Sequence, residues 1–143
     1  MTENFGVNLA KNIKNLLKKN ISGKIEVILK KNPYLAPESL SAYTLMNDLM
    51  IQSVSKIVTE YIFPLVSPTK GEYISVVALG GYARAEMAPY SDIDLLFLTP
   101  YKQTAWSENV IETILYLLWD LGLKVGHAVR NIEECLRIAK NDI

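Results

Sequence analysis

Residues 91–98 read Ser-Asp-Ile-Asp-Leu-Leu-Phe-Leu, and this stretch decides the fold of the 143-residue chain. Two carboxylates, Asp92 and Asp94, stand at the start of an apolar, strand-like run. Alternate residues of a strand point to one face, so we expect the two carboxylates side by side, about 6–7 Å apart at Cα. Like charges at that distance repel by roughly 2–3 kcal/mol, and a cation between them removes the repulsion. The pattern predicts a Mg²⁺ site, since Mg²⁺ combines one or two carboxylates with substrate phosphates.

A glycine pair lies just ahead of the aspartates, within residues 79–86, Leu-Gly-Gly-Tyr-Ala-Arg-Ala-Glu. Gly80 and Gly81 follow a predicted strand and open a short helix, where free backbone N–H groups bind phosphate oxygens. Arg84 is placed to neutralise phosphate charge. These parts suit nucleotidyl transfer, in which an acceptor hydroxyl attacks an α-phosphorus between two clamping metal ions and pyrophosphate leaves. We therefore expect a metal-dependent nucleotide site.

Each feature also has a simpler structural explanation. An Asp-x-Asp commonly caps a turn, and a Gly-Gly after a strand usually forms a tight turn. Arg84 would then be a surface ion pair with Glu86, and Ser91 would cap the turn before the strand. The ordered combination of strand, Gly-Gly, short helix with arginine, turn, Ser-Asp-x-Asp and apolar strand favours the functional interpretation.

The rest of the chain alternates between helical and strand-like patterns. Apolar residues at three- and four-residue steps predict helices over residues 9–29, 37–64 and 107–121 and from Asn131, the last opened by a capping box with Glu134. Ser107 is the predicted cap of the third of these helices. Short apolar runs predict two further strands, at residues 73–79, buried on both faces, and at residues 123–129.

Composition narrows the classes of function. Half of the residues are apolar and about a fifth are charged, as in globular proteins. Seven lysines fall within residues 1–31, and we interpret them as a solvated helix face. Residues 32–143 carry a net charge of −5, which argues against a nucleic-acid partner. Cys135 is the one cysteine, which indicates a reducing compartment, and no run of about 18 uncharged apolar residues exists. We expect a cytoplasmic protein with no membrane partner.

The two motifs together resemble the signature of the polymerase-β-like nucleotidyltransferase superfamily. The similarity is closer to the bifunctional uridylyltransferase/uridylyl-removing enzymes that modify the nitrogen regulatory protein PII. It continues through residues 88–90, 114–127 and 133–136. The resemblance implies an α+β fold, with a small mixed sheet flanked by helices and preceded by two N-terminal helices. It divides the chain into a helical segment, residues 1–64, packed on a nucleotidyltransferase core, residues 65–143.

The resemblance also implies a reaction. UTP and Mg²⁺ would be the reactants, and a uridylyl group would pass to a tyrosine hydroxyl of PII. Its catalytic metal ligands would be Asp92 and Asp94. Its nucleotide-binding residues would be Gly80 and Gly81 at the triphosphate, Ser91 at the terminal phosphates and Arg84 in an orienting role within the short helix.

Three departures leave alternatives open. Ala83 and Ala85 stand where the family has glycines, and either would clash where its backbone needs a positive φ. The family's third carboxylate is missing from residues 123–129, where we interpret His127 as a core residue. The alternatives are an acid after residue 143, or Glu133 or Asp142, although the predicted helix of these two argues against them. The family enzyme is several times longer, so we expect a truncated core. The alternatives are a stand-alone nucleotidyltransferase with another acceptor, or an inactive remnant that binds nucleotide or a partner.

Overall fold

The computed structural model of the chain describes residues 36–87 and 91–142, together with Lys11, Asn12, Asn15 and Lys19. These four early residues are helical and exposed. The rest of the predicted first helix, residues 9–29, lies outside the described residues. The division of the chain at residue 64 therefore stays a prediction.

A long helix, α1, spans Ala36–Ile57 and continues as a π-helical turn over Val58–Ile62. It is the helix predicted for residues 37–64. Its most deeply buried side chains are three or four residues apart and form one stripe: Asn47, Ile51, Val54 and Val58. None of the described helices combines the length and the apolar character needed to cross a membrane.

The described sheet has three strands, β1 (Ser75–Ala78), β2 (Ile93–Thr99) and β3 (Val125–Asn131), with β2 in the middle. β1 pairs antiparallel with β2, and β3 pairs parallel with it. The parallel pair needs a crossover connection, which helix α3 (Ala105–Asp120) supplies. This small mixed sheet with helices confirms the predicted α+β class.

The helix ends follow local capping chemistry. Helix α2, Gly80–Ala83, is the predicted short helix and is about one turn long. The prediction that Ser107 caps α3 is wrong: Thr104 is the cap, and Ser107 completes a capping box with it from inside the helix. Helix α4, Ile132–Asn141, begins with the predicted capping box, in which the Asn131 side chain accepts a hydrogen bond from the backbone N–H of Glu134 at 2.8 Å.

β2 has two unlike faces. Its buried face consists of side chains that are each at most 2% exposed: Ile93, Leu95, Phe97 and Thr99. The hydrophobic core lies against this face, where side chains of α1 and α3 pack. The opposite face of β2, which we call the Asp94 face, carries Asp94, Leu96 and Leu98, all of them more exposed. Period-two alternation along β2 therefore separates the core from the residues predicted to do chemistry.

The prediction that residues 73–79 are buried on both faces is wrong. β1 is an edge strand of the described sheet, its exposure alternates along the strand, and Val77 is 38% exposed. A short apolar run is typical of central and edge strands alike, so periodicity does not tell them apart. β3, the other edge strand, lies two residues further along the chain than predicted.

Candidate functional site

Asp92 and Asp94 flank the buried Ile93 at the start of β2. Both aspartates are exposed, whereas Ile93 is 2% exposed. Asp94 projects from the Asp94 face of β2, and Asp92 comes directly before the strand; that both carboxylates share this face stays a prediction from alternation. Ser91 comes directly before them and is half-buried.

The glycine turn, residues 79–86, is joined to Asp94 at its first residues. The backbone N–H of Leu79 donates to the carbonyl oxygen of Asp94 at 2.9 Å. Gly80 has a φ of +57°, and a Cβ on it would lie 3.3 Å from Oδ2 of Asp94. A left-handed residue followed by a helical one aims successive backbone N–H groups to one side, which suits anion binding. The turn therefore presents Gly80 and Gly81 beside the Asp94 carboxylate.

The first turn of α2 receives no cap from its N-cap side chain. Leu79, which occupies the N-cap position, makes no side-chain hydrogen bond to the helix. The initial N–H groups of any α-helix have no partner within the helix itself. The amides of Gly80 and Gly81 are thus suited to donate hydrogen bonds to oxygen atoms of a ligand outside the helix.

Gly126 is a site residue that the sequence analysis missed. It pairs with Asp94 in the register between β2 and β3. A Cβ on Gly126 would lie only 2.7 Å from Oδ1 of Asp94, so any side chain here would displace the carboxylate. The available signal was a glycine inside a predicted strand, which often marks a close approach by another group.

Arg84 lies at the C-terminal end of α2, next to the site. Its Nε lies 2.7 Å from Oε2 of Glu86, and both side chains are 63% exposed. Exposed pairs of this kind contribute little to stability. This ion pair is the simpler structural role that the sequence analysis gave Arg84.

The two alanines that replace family glycines differ in backbone conformation. Ala85 has a φ of 55°, in the left-handed region that favours glycine, whereas Ala83 belongs to the right-handed helix. Three backbone hydrogen bonds hold the turn in this shape: Ala83 to Leu79, Ala85 to Tyr82 and Glu86 to Gly81, at 3.0–3.1 Å. The turn thus keeps its shape, but the left-handed conformation of Ala85 costs free energy, because its Cβ is crowded there.

Tyr82 anchors the glycine turn to α1. It is the buried side chain of α2, 5% exposed, and its hydroxyl donates to Oδ1 of Asp48. Burial raises the pKa of Tyr82 well above its usual value, and the neighbouring Asp48 carboxylate raises it further. The hydroxyl therefore stays protonated and remains a donor. The sequence analysis missed this pair because its members are 34 residues apart.

Among the residues that the structure describes, no third acid joins Asp92 and Asp94. His127 pairs with Leu95, so it lies on the side of the sheet away from Asp94. It is exposed, with its ring 5.9 Å from that of Trp119, so its interpretation as a core residue is wrong. Glu133 follows β3 at the far end of the sheet, about 16 Å along β2 from Asp94. Within residues 36–87 and 91–142, no three acidic, histidine or cysteine side chains, Asp142 included, form a group that could hold a metal ion.

The donor set that is present still fits Mg²⁺. Mg²⁺ takes oxygen ligands and is commonly held by one or two carboxylates together with water and substrate phosphates. Asp92 and Asp94 offer exposed carboxylates, and the glycine backbone at Gly80 and Gly126 leaves room around Asp94. Such an arrangement can hold a cation between the protein and a phosphate group.

Comparison with protein families gives one match that covers more than half of the chain. The family model described as nucleotidyltransferase domain matches residues 68–143. This region includes β1, the glycine turn, both aspartates and Gly126. No solved structure matches the chain significantly.

Comparison with curated proteins gives relatives with one shared description, bifunctional uridylyltransferase/uridylyl-removing enzyme. The Ruegeria pomeroyi enzyme is 51% identical over 112 residues, which are 78% of this chain and 12% of that enzyme. The Azospirillum brasilense enzyme is 48% identical over 121 residues, 85% of this chain and 12% of that enzyme. The chain thus spans about a tenth of the length of these relatives. Because the family model covers residues 68–143, together with the aspartate pair and the glycine turn, the chain belongs to the nucleotidyltransferase domain family.

Proposed function

We propose that this chain is the catalytic part of a Mg²⁺-dependent uridylyltransferase, with UTP as donor and a tyrosine hydroxyl of PII as acceptor. The observation that carries the proposal is the position of the Asp94 carboxylate, which lies against the backbone of Gly80 and Gly126 beside Asp92. The uridylyltransferase relatives support the choice of UTP. The choice of PII follows from the family resemblance. The single Cys135 supports a reducing compartment, and we propose the cytoplasm.

In the proposed reaction the tyrosine oxygen bonds to the α-phosphorus of UTP and releases its proton to water. The bond from the α-phosphorus to the β-phosphate oxygen breaks, and pyrophosphate leaves. Asp92 and Asp94 would hold Mg²⁺, which neutralises charge on the phosphate oxygens. Gly80 and Gly81 would donate backbone hydrogen bonds to the triphosphate, and Ser91 would contact its terminal phosphates. Arg84 would help to orient the turn.

A second candidate is a remnant that binds nucleotide without turnover. Two observations favour it: Ala85 occupies a left-handed conformation in place of a family glycine, and the described residues bring no third acid to the aspartates. Such a protein would bind Mg²⁺ and UTP but transfer nothing. A third candidate, transfer to another acceptor, uses the same site.

The three candidates separate in one experiment. The purified chain is incubated with UTP labelled at the α-phosphorus, Mg²⁺ and purified PII. We expect label on PII, no label with Asp94→Asn, and unchanged labelling with Glu112→Gln, which removes an exposed carboxylate of α3. UTP binding without transfer would instead indicate the remnant. Label on a different added protein or small hydroxyl compound, but not on PII, would indicate another acceptor.

A further inference from the structure

Helix α1 holds the glycine turn at two consecutive residues. Asp48 accepts the hydrogen bond from the Tyr82 hydroxyl. Asn47 is 1% exposed, and its Nδ2 donates to Sδ of Met87 at 3.8 Å, just beyond the turn. Tyr82 and Met87 are themselves buried, at 5% and 1% exposure. Side chains of α1 therefore hold the glycine turn at Tyr82 and, just after its last residue, at Met87.

The turn needs such an anchor. α2 has four residues, and a helix of one turn is unstable alone, because several dihedral angles are fixed for one hydrogen bond. Its start is fixed by the bond from Leu79 to the Asp94 backbone. Tyr82, two residues after Gly80, is the one side chain of α2 that reaches the core. The orientation of Gly80 and Gly81 thus depends on Leu79 at one side and on Tyr82 at the other.

Asp48 lies beside a pocket that Tyr82 also lines. Asp48 is half-buried and lines a pocket of about 330 Å³ between α1 and the buried face of the sheet, together with Gln52, Val76, Tyr82 and others. The hydrogen bond to Asp48 and the burial of the ring together fix the position of Tyr82.

We propose that Asp48 is a positioning residue for nucleotidyl transfer: through the Tyr82 hydroxyl it fixes Gly80 and Gly81 against Asp94, and so sets where the triphosphate lies. Asp48 is outside residues 68–143, the part of the chain that the nucleotidyltransferase model matches. The proposal rests on the proposed function, because it concerns the same phosphate site. It makes α1 part of the catalytic unit rather than a neighbouring support.

The first test compares kcat and KM for UTP, in Mg²⁺ with PII as acceptor, between Tyr82→Phe, which keeps the ring, and the wild-type chain. Displacement of the triphosphate predicts a kcat about tenfold lower or more, with KM for UTP changed less than about threefold. The control is Tyr61→Phe, since Tyr61 is 70% exposed, and it should match the wild type. Wild-type kcat and KM in folded Tyr82→Phe would overturn the proposal.

A set of Asp48 variants separates positioning from general support. Asp48→Asn keeps an acceptor for the hydroxyl and should recover most of the kcat that Asp48→Ala loses. Asp48→Ala combined with Tyr82→Phe should be no worse than either alone, because both remove one contact. Additive losses in the double variant, or an equal loss in Asp48→Asn and Asp48→Ala, would contradict the proposal.

A third measurement needs no activity, so it keeps this proposal separate from the proposed function. Amide hydrogen exchange of the unliganded chain reports on the turn's own hydrogen bonds, at Ala83, Ala85 and Glu86. Tyr82→Phe should raise their exchange rates about tenfold while the Leu121 amide, bonded within α3, is unchanged. If the wild-type chain transfers nothing but this difference is found, the proposed function fails and the anchoring of the turn stands. Unchanged exchange at the turn would overturn the anchoring itself.

Discussion

The two faces of β2 share one backbone but have different tasks. On the buried face, Leu95 and Phe97 are at most 1% exposed and pack into the core. On the Asp94 face, the neighbouring Asp94 is exposed and lies against the backbone of two glycines. The difference teaches that one strand can supply stability from one face and chemistry from the other. Substitutions on the buried face should therefore mainly lower stability, and substitutions on the Asp94 face should mainly lower activity.

The largest expected effect is on the buried face. Leu95→Ala should lower the free energy of unfolding by about 2–5 kcal/mol, because it removes a buried side chain and leaves a cavity. Leu96→Ala is the matched variant, one residue along and on the Asp94 face, where the side chain is only half-buried. It should cost less than half as much in urea unfolding followed by circular dichroism. Equal costs would remove the distinction between the faces.

Asp94→Asn should have the converse effect. We expect the rate of nucleotidyl transfer to fall at least about 100-fold, because the carboxylate that would hold Mg²⁺ against the transferring phosphate is lost. The free energy of unfolding should change by less than about 0.5 kcal/mol, or rise, since the substitution relieves repulsion with Asp92. Transfer assays and urea unfolding on the same preparation measure both. A loss of stability above about 2 kcal/mol would mark Asp94 as a structural residue.

Gly126→Ala tests the close approach on the Asp94 face. The new Cβ would lie 2.7 Å from Oδ1 of Asp94, so the carboxylate must move. We expect transfer about 10–100-fold slower, by analogy with the loss of groups that orient metal ligands. The control is Gly71→Ala, where a Cβ would meet Thr69 Oγ1 at an ordinary 3.7 Å. Wild-type transfer rates in Gly126→Ala would mean that the position of this carboxylate does not matter.

The smallest effect is expected within the glycine turn, at the edge of the Asp94 face. Ala85→Gly should raise the free energy of unfolding by about 0.5–1 kcal/mol, because glycine adopts a φ of 55° without steric cost. Ala83→Gly, two residues earlier in right-handed helix, should lower it by a similar amount. Thermal unfolding of the pair measures the difference. The same sign for both substitutions would contradict the backbone conformation described for Ala85.

Local patterns predicted much of this molecule, because the physics that produced them is local. Helical periodicity located α1, and the Asn131–Glu134 pair located the start of α4. Alternation also predicted the buried Ile93 between the exposed Asp92 and Asp94. The sequence named Ala83 and Ala85 alike as positions where alanine would be strained at a positive φ, and only Ala85 has that conformation.

What the sequence did not reveal depends on pairing between distant segments. The register that sets Gly126 against Asp94 joins residues 32 positions apart, and the bond from Tyr82 to Asp48 crosses 34. The exposure of β1 follows from its place at the edge of the described sheet, which a short apolar run does not encode. The exposure of His127 follows from the position of β3 at the other edge.

The most direct test of the account is Mn²⁺ binding, measured by electron paramagnetic resonance in the presence of UTP. Mn²⁺ takes the same oxygen ligands as Mg²⁺ and reports on the bound ion itself, without requiring turnover. The account predicts that the wild-type chain binds Mn²⁺ together with UTP, that Asp94→Asn weakens the binding at least about tenfold, and that Glu112→Gln leaves it unchanged. Equal Mn²⁺ binding by the wild-type and Asp94→Asn chains would contradict the claim that this carboxylate holds the ion.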